Sequence, residues 1–133
     1  MNPNYTSVAN RANHCCEYCR APEIIFNFAF DVEHIRPVSR QGAETLDNLA
    51  LACRSCNLYK GNRMFGVDSS TGVEIRLFHP RLDNWESHFQ VDVTNGTIIG
   101  LTAIGQITVD CLEMNSQPQI MARQFWISLG LFP

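Results

Sequence analysis

A chain of 133 residues is long enough for one ordinary domain or two very small ones. Its apolar content is that of a globular protein, and no apolar run is long enough to span a bilayer, which excludes a helical membrane protein. A net charge of −3 excludes a protein that grips nucleic acid by overall basicity alone.

The first residues, Met1 to Ser7, have neither a basic region nor an apolar stretch. The expected compartment is therefore the cytoplasm, where cysteines stay reduced. Arg11 to His14 leads into a first Cys-x-x-Cys knuckle, Cys16/Cys19. Ile24 to Phe30 is apolar, aromatic and β-prone and continues through Asp31 to Ile35, predicting a strand, or two strands with a bend, that ends at Glu33-His34 before Pro37. Val38 to Asp47 is a polar loop containing Gly42, and Asn48 to Ala52 predicts a second strand. A short helix is expected from Ser55, with Gly61 near its end.

Gly66 to Gly72 is the one loop-rich break, and charge shifts across it. Residues 1–66 carry seven Lys/Arg against six Asp/Glu, and residues 67–133 carry three against seven. A boundary is expected there, with any nucleic-acid contact in the first half. In the second half, Phe89 to Val93 and Thr97 to Leu101 flank Asn95-Gly96, a strong hairpin signal. Thr102 caps a predicted helix carrying Ile104, Ile107, Cys111 and Leu112. Ser116 and Pro118 open a last helix, with Gly130 as its stop. His79, Trp85 and His88 are expected in core or surface positions without a chemical role.

Four of the six cysteines form two Cys-x-x-Cys pairs, Cys16/Cys19 and Cys53/Cys56. Two such turns supply the four corners of a zinc tetrahedron, and four thiolates leave no open position, so the expected site is structural. Cys15 and Cys111 are expected as small hydrophobes outside it. A redox protein would use one reactive pair and not two.

Between the cysteine pairs lie Glu33-His34-Ile35-Arg36-Pro37 and Asp47-Asn48-Leu49, and the second pair opens Cys56-Asn57-Leu58-Tyr59-Lys60-Gly61. Over roughly residues 16 to 62 this pattern resembles the HNH nucleases, which fold as a ββα-metal finger. The chain has Gln41-Gly42 where many members have two glycines, and Asn57 at the third motif position. The resemblance implies an α+β fold: a zinc-stabilised ββα-metal core over residues 1–66, followed by a hairpin and two helices over residues 67–133. It also implies divalent-metal-dependent hydrolysis of nucleic-acid phosphodiesters, with DNA the expected substrate and a 3′-hydroxyl product.

The residue types suit that chemistry. His34 has the intrinsic pKa of a general base near neutrality. Glu33 and Asn57 are hard oxygen donors for Mg2+ or Mn2+. In a strand, however, neighbours such as Glu33 and His34 point to opposite faces. By resemblance, Asn48 bonds backbone near His34 and orients it, and Lys60 contacts a phosphate, with Arg36 and Arg63 as lesser phosphate contacts. The alternative is a non-catalytic zinc module for nucleic acid or protein, which would have no need of Glu33, His34 and Asn57 together.

Overall fold

The computed structural model describes all residues, 1–133. Three two-stranded antiparallel sheets and five helices share one core. Helix α1 (Tyr5–Arg11) buries Val8 and Ala9. Strand β1 (Asp31–His34) pairs with β2 (Leu49–Ala52) in the register Asp31 to Ala52 and His34 to Leu49. Helix α2 (Arg54–Lys60) follows at once, started by the Cys53 sulfur, which accepts the Cys56 N–H, and stopped by Gly61 at φ +54°. This is the ββα unit.

β3 (Phe65–Val67) and β4 (Glu74–Arg76) form a second hairpin. The boundary expected near residue 66 falls inside β3, and the loop-rich break is that hairpin's turn. The short helix α3 (Trp85–His88) leads into the hairpin of β5 (Phe89–Asp92) and β6 (Thr97–Gly100), whose turn holds Gly96 at φ +77°. In α4 (Ala103–Cys111), the Thr102 hydroxyl accepts the Gly105 N–H at 3.1 Å. Helix α5 (Gln117–Ser128) follows Ser116. No helix is long and apolar enough to cross a membrane.

One cluster of 23 buried residues runs through both halves, from Val8, Cys16 and Leu49 to Phe78, Trp85 and Met114. The second half packs against the cysteine knuckles. The Trp85 indole donates to the Tyr18 carbonyl at 2.8 Å, and Trp126 of α5 meets Phe26 edge-on.

The stretch from Ile24 to Phe30 is not a strand. Glu23 to Ile25 form a 3-10 turn, and Ile24 is 85% exposed. The buried Glu23 carboxylate accepts from the Tyr5 hydroxyl, from His14 at 2.6 Å and from the Phe30 N–H at 2.6 Å. These donors close residues 23–30 into a loop. Although burial pushes the Glu23 carboxyl up, the bonds from Phe30, His14 and Tyr5 win and hold it below the usual range.

Candidate functional site

The two knuckles converge. Cys16 and Cys19 come from the turn after α1, and Cys53 and Cys56 from the β2–α2 junction. All four are buried, and their sulfurs lie within 4.8 Å of one another. Zinc–sulfur bonds of about 2.3 Å in a tetrahedron put sulfurs about 3.8 Å apart. The Cys19 and Cys53 sulfurs are 3.7 Å apart, so the cluster fits a zinc site. The Cys19 and Cys56 N–H groups donate to the Cys16 and Cys53 sulfurs at 3.5 and 3.4 Å, which softens thiolate charge. Hydrogen bonds from Cys16 and its neighbours drive the Cys53 thiol far down and push Cys19 and Cys56 up. Such a cluster cannot carry four negative charges without a cation. Cys15, Cys111 and His14 stand outside it, with His14 bonded to Glu23.

The fully buried Arg123 of α5 donates to the Gly96 and Met114 carbonyls at 2.7 Å each. Burial lowers its pKa, and the negative charge of Cys19, Cys56 and Cys53 works the other way.

His34 sits at the end of β1, with its side chain 22% exposed. Its Nε2 bonds the Glu44 carboxylate. Asn48 ties the backbone on either side of the loop. Its Oδ1 accepts the Arg36 N–H at 2.9 Å, and its Nδ2 donates to the Arg36 carbonyl at 3.1 Å and the Ala43 carbonyl at 2.8 Å. Gly42 is required here, because a Cβ would sit 1.7 Å from the Arg36 carbonyl oxygen. Gln41, where a second glycine is common in the resembling pattern, has φ +65°, the region glycine favours.

Two expected assignments change. Glu33, expected as a metal ligand, is buried under the sheet, where its carboxylate accepts from the Tyr18 hydroxyl and from Lys60 at 3.0 Å. Lys60, expected on a phosphate, is 1% exposed, and its ammonium also donates to the His34 and Ile35 carbonyls at 3.3 and 3.0 Å. The reason is strand alternation: Glu33 faces the interior because His34 faces out. Burial pushes the Glu33 carboxyl up, and Lys60 and Tyr18 pull it back. The pair holds the strand end from behind and reaches no solvent.

A stability measurement separates the two roles of this lysine. Lys60→Met leaves a buried carboxylate unpaired and is expected to cost about 3–5 kcal/mol in urea unfolding. Adding Glu33→Gln removes the unpaired charge and recovers a large part of that loss. A Lys60→Met protein of unchanged stability would return Lys60 to the solvent side.

The exposed carboxylate on this strand is Asp31. It lies two residues before Glu33 on β1, and its Oδ2 accepts the Asn57 side-chain N–H at 3.0 Å. Strand alternation puts Asp31 on the same side as Glu33 and opposite His34, but it opens the strand and stays exposed there. Asp31, Val32 and Asn57 line a cavity of about 410 Å3 with Asn2 and Tyr5. The Asn2 amide also donates to Glu44 at 3.4 Å, so this cavity wall reaches the partner of His34.

Among the other expected residues, Arg36 is exposed and donates to the Arg40 carbonyl at 2.7 Å. Arg63 is spent on the Tyr59 carbonyl and, at 2.8 Å, that of Cys111. His88 bonds Thr102 and packs against Phe78, and the His79 ring accepts the Arg81 N–H at 3.2 Å. These serve the second half's own packing.

Residues 16–63 match the family model of the HNH endonuclease. No curated protein matches the chain.

Proposed function

We propose, from the match of residues 16–63 to the HNH endonuclease family model, that this chain is a divalent-metal-dependent endonuclease acting on DNA. The observation that carries the reading is the half-exposed edge of the ββα unit. There His34 is held out by the Asn48-tied loop, and the Asp31–Asn57 pair stands beside a cavity.

The zinc is structural, held by Cys16, Cys19, Cys53 and Cys56 with no position left for substrate. Asp31 and Asn57 are the residues that would hold one Mg2+ or Mn2+. Both offer hard oxygens, and Asn57 keeps its Oδ1 free while its Nδ2 bonds Asp31. Such an ion supplies stabilisation of the negative charge on the phosphate and leaving oxygen. His34 accepts a proton from the attacking water, and Asn48 sets its place by fixing the backbone that follows. Arg36, on the exposed loop, contacts a flanking phosphate in place of Lys60.

The test is cleavage of plasmid DNA as Mg2+ or Mn2+ is titrated. Asp31→Ala and Asn57→Ala are expected to raise the ion concentration for half-maximal rate by tenfold or more, and Glu33→Gln is not. Equal ion dependence of Asp31→Ala and wild type would contradict the ligand assignment. Zinc-dependent DNA binding without cleavage under either ion would favour the non-catalytic zinc module instead.

A further inference from the structure

The His34–Glu44 contact is not an incidental surface pair, because both ends are built. On one side, the Lys60 ammonium holds the His34 carbonyl from inside the fold. On the other, the residue before Glu44 is pinned, since the Ala43 carbonyl accepts from the same Asn48 amide that bonds Arg36. Gly42 packs directly on the Arg36 carbonyl, which fixes the loop between the two residues. The second Glu44 oxygen accepts from Asn2 at 3.4 Å. One asparagine thus sets the register of both partners.

The contact also decides the histidine's tautomer. An ionised carboxylate only accepts, so His34 Nε2 carries the proton, and in the neutral ring Nδ1 keeps a lone pair. The bond to His34 is the main cause holding the Glu44 carboxyl below its usual range, which keeps it ionised at neutral pH.

We propose that Glu44 is a positioning residue for the nuclease reaction, holding His34 in the Nε2–H tautomer with Nδ1 directed to the attacking water. This rests on the reading of the chain as an endonuclease. In the step, one water O–H bond breaks and its proton bonds to Nδ1. The water oxygen forms a bond to phosphorus, and the bond from phosphorus to the leaving oxygen breaks with its electron pair going to that oxygen. The imidazolium keeps its Nε2–H donated to Glu44, which stays ionised throughout, and later returns the extra proton to solvent. Glu44 acts only through His34 and touches no substrate.

The experiment compares wild type, Glu44→Gln and Glu44→Ala as zinc-loaded full chains. Steady-state cleavage is measured at saturating Mn2+, and the His34 ring is read by 15N NMR in the free protein. Glu44 is exposed, so zinc content and thermal midpoint are expected to stay unchanged. Glu44→Ala is expected to lower kcat by about 10- to 100-fold with KM for DNA unchanged, the scale of losing a carboxylate behind a working histidine. Glu44→Gln, which still accepts through its amide oxygen, is expected to fall between. The NMR spectrum is expected to show the Nε2–H form in wild type and a mixture of tautomers in Glu44→Ala. Active wild type with Glu44→Ala within twofold of it in kcat overturns the proposal, as does a wild-type ring protonated on Nδ1. Wild type that binds DNA but never cuts it overturns the endonuclease reading and takes this proposal with it. The NMR result then still reports whether the pair exists.

Discussion

Chelating the zinc from the intact chain is expected to unfold it, both halves together. Binding free energies of structural zinc are about 10–16 kcal/mol, and a domain's whole stability is about 5–15 kcal/mol. Removing the ion therefore removes as much as the fold possesses. Four buried sulfurs crowded within 4.8 Å would face one another without a cation. The loss is not confined to the first half, because the cysteines belong to the same buried cluster as Phe78, Trp85, Phe89 and Ile98. Circular dichroism before and after a chelator, with zinc restored at the end, checks this. A single cooperative loss and recovery is expected. A second half that keeps its helices and melts as before would show two independent units.

His34→Ala is expected to lower cleavage by about 10²–10⁴-fold, the usual range for a lost general base. Its effect on stability is expected to be small, since its side chain is partly exposed and its one polar partner is a surface carboxylate. The zinc content should not change, because the strand end is held through backbone by Lys60 and Asn48. Lost cleavage with an intact thermal midpoint separates a chemical role from a structural one. Equal losses in both would make His34 a packing residue.

The parts of the fold legible in the sequence were those written in local pattern. Paired Cys-x-x-Cys turns announced the metal cluster, Asn95-Gly96 announced the β5–β6 hairpin, and Thr102 announced the start of α4. What stayed hidden depended on distant partners. Ile24 to Phe30 has strand composition, but Glu23 draws donors from residues 5, 14 and 30 and closes it into a loop. The strand β2 that could have paired it is only four residues long. Glu33 illustrates a different failure. Alternation along β1 places it opposite His34, and the resemblance to a motif outweighed that simple rule. The buried pair with Lys60 shows that the rule wins, whereas Asp31, which alternation places on the Glu33 side, is singled out only by its bond to Asn57. Glu44 had no local signal at all, lying ten residues from His34 in a polar loop whose course is set by Gly42 and Asn48.

The proposed activity is cleavage of DNA by the zinc-stapled ββα unit through His34. The most direct measurement is conversion of supercoiled plasmid to nicked and linear forms with Mg2+ or Mn2+, comparing zinc-loaded wild type with His34→Ala. Ion-dependent cutting by wild type, reduced at least about 100-fold in the variant, is the predicted result. Cutting of equal rate by the two proteins, or none by either with both ions supplied, would contradict it.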